Sequence, residues 1–212
     1  MITIHHLGIS QSDRIVWLME ELGLPYELKW YHRRTEDNFL PAEYLALHPA
    51  ATAPVITDGD RTVAESAAIV EYICHRYGDG RYTVRPDQPE YPDYLYWMHF
   101  NNNVLGLFIA QLALGVAAPG PDADRVRSLV QRREDNYYRY LEQRLGEVPY
   151  LAGSEFTCAD VMVTFNLTSI PLFGGRSIDG MPNTEAYVKR ISSRPAYIKA
   201  MSIAGPGAKP PG

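Results

Sequence analysis

The spacing of apolar positions changes character near residue 80. Residues Ile2 to Leu7 form a short, β-branched apolar run with His5 and His6 inside it and Gly8 at its end, which predicts a strand. From Ser12 onward, Ile15, Leu18, Met19 and Leu22 recur at i, i+3, i+4, i+7, one face of a helix that Gly23 and Pro25 stop. Tyr26 to Tyr31 alternates as a second strand, and Pro41 to Leu47 reads as a short helix with proline in its first turn. Pro54 to Thr57 and Thr62 to Ala64 flank Asp58-Gly59-Asp60, the signal of a strand pair around a tight turn. Ile69, Val70, Ile73 and Tyr77 then line one face of a helix running from Ser66 to about Tyr77. Strand, helix, strand, helix, strand, strand, helix implies a mixed sheet with helices packed on it.

After that the strand patterns stop. Gly78 to Pro92 carries three prolines and several charged turns, which marks a linker. Tyr94 to Gly115, Asp122 to Leu145, Ala159 to Leu172 and Thr184 to Met201 all show helical periodicity. The predicted organisation is a mixed-sheet domain over residues 1–80, a linker over 81–92 and an all-α domain over 93–212. The closing Gly-Pro-Gly-Ala-Lys-Pro-Pro-Gly stretch cannot form a regular element.

Composition narrows the class. With 212 residues, 46% hydrophobic and 21% charged, the chain can bury a full core, which excludes disorder, collagen-like repeats and disulfide scaffolds. A formal charge of −5 argues against nucleic acid or an anionic membrane as partner, since both require clustered positive charge. Cys74 and Cys158 lie in unlike segments, so no CxxC centre is available and a reducing, cytoplasmic compartment is expected. The start lacks a basic region followed by an apolar one, so no secretion signal is read. The apolar stretch Val104 to Ala118, interrupted by Gln111, is shorter than the roughly 20 residues that span a bilayer. The six histidines show no metal-ligand spacing, so no metal site is expected.

Candidate chemistry gathers at three junctions. Ser10-Gln11-Ser12-Asp13 stands where the first strand hands over to the first helix, whose unpaired N–H groups and dipole favour an anion. A serine hydroxyl there can donate to a thiolate, although Ser10 or Ser12 could equally serve as the helix cap. Ala53-Pro54 precedes a strand, and X–Pro is the one bond type for which cis geometry is cheap. A cis bond would turn the Ala53 backbone toward anything bound beside the first loop; a trans proline at an edge strand is the plain alternative. Glu65-Ser66 joins a strand to a helix, so the pair could hold an ammonium group and a carboxylate together, with Ser66 as a simple cap the alternative. Thr157-x-x-Asp160 is a capping box before an apolar run and reads as structural. Tyr96, His99, Asn102 and Asn103 give one helix a polar side that could face a cleft between the domains.

Taken together these segments resemble the cytosolic glutathione S-transferases, in particular serine-type bacterial and fungal members. Ser10-Gln11-Ser12-Asp13-Arg14 through Pro25-Tyr26-Glu27 is similar to the family's first loop and helix. His48-Pro49 through Thr52-Ala53-Pro54-Val55 resembles its Asn-Pro-x-x-x-x-Pro-Val stretch, and Ala64-Glu65-Ser66 through Ile69 and Tyr72 its Glu-Ser-x-Ala-Ile-x-x-Tyr motif. The resemblance implies a thioredoxin-like βαβαββα domain that binds glutathione as co-substrate, followed by a helical-bundle domain that supplies the pocket for a small hydrophobic electrophile or a peroxide. It implies a catalytic Ser10 holding the glutathione sulfur, with Ser12 as the fallback. It further implies glutathione binding by Thr52, Ala53, cis-Pro54, Glu65 and Ser66, and a homodimeric detoxification enzyme. Thr52 stands where many members carry lysine or glutamine, and Arg33 or Arg34 could take over the contact to the glycine carboxylate. The alternatives are a glutathione-dependent isomerase, dehalogenase or bond-cleaving enzyme, and a non-catalytic glutathione-binding protein of the same fold.

Overall fold

The computed structural model describes residues 1–37, 39–116 and 118–210. Its elements in chain order are β1 (Ile2–His6), α1 (Asp13–Leu22), β2 (Tyr26–Trp30), α2 (Ala42–Leu45), β3 (Val55–Asp58), β4 (Arg61–Ala64), α3 (Ser66–Arg76), α4 (Tyr91–Val116), α5 (Pro121–Glu147), α6 (Cys158–Thr168), a 3₁₀ turn (Ile170–Phe173), α7 (Pro182–Ser192) and α8 (Pro195–Ala204). The chain divides into two compact units, residues 1–83 with 191–212, and residues 84–190.

The first unit is the expected thioredoxin-like arrangement. Its four strands lie in the order β2-β1-β3-β4, with β1 parallel to β2 and antiparallel to β3, and β3 antiparallel to β4. The strand–helix–strand unit β1-α1-β2 supplies the parallel pair, and the two residues Gly59 and Asp60 close the antiparallel hairpin, Gly59 with a φ of 61° that an L side chain rarely adopts. Glycine also ends α1. Gly23 sits at φ 66°, and Leu24 N–H returns to the Met19 carbonyl at 3.0 Å, which satisfies a helix-end acceptor.

The sequence pattern gave α1 one apolar face, yet Ile15, Val16, Trp17, Leu18 and Met19 are all buried. The second face is covered by α8, which packs on α1 within the first unit although it lies at the far end of the sequence. Trp17 meets Tyr197 edge to face with ring centroids 5.0 Å apart, and Arg194 donates twice to Glu21, at 2.6 and 2.8 Å. The periodicity over Thr184 to Met201 predicts one helix, and the structure has two. Pro195 cannot donate a backbone hydrogen bond, and it holds Arg194 in extended geometry (φ −67°, ψ 130°), so α7 ends and α8 begins anew. Pro171 has the same effect on the predicted helix Ala159 to Leu172, which stops at Thr168 and continues as a 3₁₀ turn.

In the second unit α4 packs against α5 and α6. Asp160, in the first turn of α6, is fully buried and accepts from Thr157 N–H at 2.8 Å, Leu151 N–H at 3.0 Å and Tyr187 O–H at 2.9 Å. The predicted capping box thus extends into a buried knot that ties α6 to the preceding loop and to α7. Among the described residues no helix is long and apolar enough to cross a membrane.

Candidate functional site

Strand register explains why three sequence-distant junctions meet. His5 of β1 pairs with Val55 of β3, and Val55 pairs with Ala64 of β4. The segments continuing from those three residues, the loop 7–12, the stretch 52–54 and Glu65-Ser66, therefore emerge at the same end of the sheet. Beneath them Leu7, Tyr31, Tyr44, Val55 and Ala64 form a buried cluster, with Ala53 packed against it. Tyr44 fixes the end of β1 by donating its hydroxyl to the His5 carbonyl at 3.3 Å.

In the first loop, Gly8 turns the chain at φ 55° and Ser10 and Ser12 fold back toward β1. Ser12 precedes α1, but its side chain makes no cap hydrogen bond. Its Oγ instead lies 2.8 Å from His6 Nδ1 and 2.7 Å from Ser10 Oγ. Ser12 N–H adds a long contact of 3.5 Å to Ser10 Oγ. Ser12 is fully enclosed, whereas Ser10 keeps 6% of its surface open. Burial pushes the His6 imidazole down to about 4, so it is neutral near pH 7. The buried neighbours Asp13 and Arg14 are shifted toward their neutral forms by burial, each partly offset by the charge of the other.

The second segment carries a cis Ala53–Pro54 bond, with Thr52 exposed, Ala53 half-buried and Pro54 buried. In the third, Glu65 is exposed and holds φ 73°, ψ 120° ahead of α3. A non-glycine residue in that region costs about 1–3 kcal/mol and persists only where its surroundings enforce it. Ser66 is buried, and its hydroxyl lies 3.5 Å from Gln11 Oε1 of the first loop. The structure thus brings Ser10, Ala53-Pro54 and Glu65-Ser66 to one sheet end.

The two arginines raised by the sequence differ in engagement. Arg33 Nη2 donates to the Ile9 carbonyl at 3.3 Å, next to Ser10. Arg34 is held by Asp37, with Nε to Oδ1 at 3.0 Å, and by Glu36 at 3.8 Å. Tyr96, His99, Asn102 and Asn103 are all exposed on α4. His6 is the residue that sequence reasoning passed over. Alternation along β1 separates His5 from His6 but carries no hint that one face meets a serine six positions later. His5 is engaged elsewhere, with Tyr31 Oη at 2.9 Å and Thr57 Oγ1 at 3.2 Å. Among the described residues no group of three or more His, Cys, Asp or Glu could hold a metal ion.

Comparison with known proteins matches both halves of the chain to family models: residues 10–76 to "Glutathione S-transferase, N-terminal domain" and residues 107–195 to "Glutathione S-transferase, C-terminal domain". Glutathione S-transferase 3 of Schizosaccharomyces pombe is 34% identical, the alignment covering 92% of this chain and 85% of that protein. Glutathione S-transferase GstB of Escherichia coli is 28% identical over 96% of this chain and 99% of its own length. A crystal structure of a glutathione S-transferase from Actinobacillus pleuropneumoniae superposes with a TM-score of 0.82 at 34% identity, covering 96% of this chain and 93% of that one. The glutathione transferase URE2P6 of Phanerochaete chrysosporium, solved with oxidized glutathione, shares the fold at a TM-score of 0.71 and 23% identity, covering 95% and 94% of the two chains.

Proposed function

This chain belongs to the glutathione S-transferase family, and from that premise we propose that it conjugates glutathione to small hydrophobic electrophiles, with Ser10 stabilising the thiolate. The thiol proton leaves to solvent, the thiolate attacks an electrophilic carbon, and the carbon–sulfur bond forms as the leaving group departs with its electron pair. With a peroxide as acceptor, two glutathione thiols would reduce one O–O bond, giving a disulfide, an alcohol and water. A free thiol has a pKa of about 8.5, so lowering it raises the reactive fraction at neutral pH, and proximity to a bound acceptor supplies the rest.

The observation that carries this reading is the convergence of Ser10, cis-Pro54 and Glu65-Ser66 at one sheet end. In it the Ala53 backbone pairs with the cysteinyl part, and Glu65 and Ser66 take the ammonium and carboxylate of the γ-glutamyl head. Thr52 flanks the same segment, and Arg33, beside Ile9, is the better placed of the two arginines for a second carboxylate. Ser10 is preferred over Ser12 because it alone of the two retains open surface. Residues 1–80 would hold glutathione, and residues 93–212, joined through 81–92, would supply the acceptor surface, apart from α8, which packs on α1 in the first unit. We further propose a cytoplasmic homodimer. Ile109, Leu112 and Val116 on α4 and Val126 and Leu129 on α5 are large apolar side chains left exposed at helical spacing along each helix of the second unit, which supports self-association.

The test is Ser10→Ala, assayed with a chloronitrobenzene acceptor and by titration of the bound thiol. A hydrogen bond to a charged group is worth about 1.5–3 kcal/mol, so kcat/KM should fall about 10- to 100-fold and the thiol pKa should rise. Unchanged turnover would remove Ser10 from the mechanism.

A further inference from the structure

We propose that His6 is a positioning residue for the thiol chemistry: its Nδ1–H holds Ser12 Oγ, Ser12 donates onward to Ser10 Oγ, and the Ser10 hydroxyl hydrogen is left to point at the ligand sulfur. The inference rests on the reading of Ser10 given above and adds the element that sets the direction of its proton.

A row of hydroxyls can donate in either sense. If Ser10 donates to Ser12 and Ser12 to an Nδ1 lone pair, the single proton of Ser10 is consumed inside the protein, and a thiolate would meet only oxygen lone pairs. In the opposite sense every donor points outward and the last proton faces the anion. The tautomer of His6 selects between the two, and the surroundings of the ring choose it. The imidazole is neutral, so it has one N–H to place. His6 Nε2 is buried and has no hydrogen-bond partner among the described residues. Trp30 Nε1, which can only donate, is in the same condition, and its ring lies 4.3 Å from that of His6, centroid to centroid. A proton on Nε2 would leave a second buried N–H unpaired in the same place, which folded proteins rarely tolerate; a proton on Nδ1 is paired with Ser12 at 2.8 Å.

The geometry at Ser10 fits that sense. Its Oγ has two acceptor sites, and two groups of Ser12 face them, the hydroxyl at 2.7 Å and the backbone N–H at the longer 3.5 Å. Once the His6 tautomer makes Ser12 the donor, both sites are taken and the proton of Ser10 is left for the outward direction. Hydrogen bonds aligned in one sense also polarise one another, which strengthens the terminal donor.

The test compares His6→Phe, which keeps the ring volume and removes the donor, with His6→Asn, whose amide nitrogen can take the place of Nδ1. In His6→Phe the bound glutathione thiol pKa, read from thiolate ultraviolet absorbance, should rise by about one unit, and kcat near pH 6.5 should fall about tenfold while KM for glutathione stays nearly constant. His6→Asn should recover most of both. A merely structural role would lower stability without moving the thiol pKa. A parental thiol pKa in His6→Phe, alongside a raised one in Ser10→Ala, overturns the positioning role and leaves Ser10 standing. An unmoved thiol pKa in Ser10→Ala overturns both. Should His6→Phe fail to fold, Ser12→Ala cuts the same chain in its middle, and a parental thiol pKa in that variant also overturns the inference.

Discussion

His6 shows how one buried polar side chain couples stability to the site. Its ring is fully enclosed and stacks edge-on against Trp30, so charging it requires taking a cation out of water. Its pKa is depressed to about 4 in the fold against an ordinary 6.5 when unfolded, so the unfolded chain binds the proton first. The stability tied to the neutral ring is therefore fully present above about pH 6.5 and is lost as pH falls toward 4. Between about pH 7 and pH 5 the loss should amount to about 2 kcal/mol, read as the difference in urea stability between the parent and His6→Phe at the two pH values. Asp13 and Asp160 are raised by burial and act in the opposite sense, but they are common to both proteins and cancel in that difference. Equal pH slopes for the two proteins would contradict a buried, neutral His6.

At the scale of elements, register and capping decide what the site and the core look like. Residues 5, 55 and 64 stand side by side only because β3 pairs with β1 on one edge and β4 on the other. Strand existence was legible from β-branched runs and from Asp58-Gly59-Asp60, and the hairpin formed there. The antiparallel pairing of β1 with β3 was not, since pairing depends on which edge a returning strand reaches. Helix ends follow local chemistry where glycine acts alone, as at Gly23, and depart from the apolar period where a proline interrupts it, as at Pro171 and Pro195. Asp160 illustrates a cap whose weight exceeds its motif. Replacing it with alanine strands Leu151 N–H and Thr157 N–H in a buried setting and takes away the carboxylate that accepts from the Tyr187 hydroxyl. Each orphaned buried group costs about 1–3 kcal/mol, so Asp160→Ala should lower the unfolding free energy by about 3 kcal/mol or more in chemical denaturation. A midpoint within error of the parent would show that those groups find other partners.

For the whole molecule, the proposed dimer makes a prediction that needs no ligand. Sedimentation equilibrium should give about twice 23.9 kDa, and a double change Leu112→Lys with Leu129→Lys, which charges one exposed apolar position on α4 and one on α5, should return the mass to that of a single chain. A parent sedimenting at 23.9 kDa overturns the proposal. By itself the sequence determined the kinds of elements and their order, because the periods of 2 and 3.6 and the turn residues act over neighbouring positions. It also determined the family, through motifs such as Ser10 to Arg14 and Glu65-Ser66 that keep their spacing along the chain. Only the tertiary structure decided that α8 returns to cover α1, that the Ser12 hydroxyl turns inward to His6 rather than capping its helix, and that Ser10 alone of the two serines keeps an open surface. Those outcomes depend on contacts between residues far apart in the chain or on opposite sides of a turn. The free energy of burying a ring or pairing a donor is set by what closes over it, and no local pattern records that.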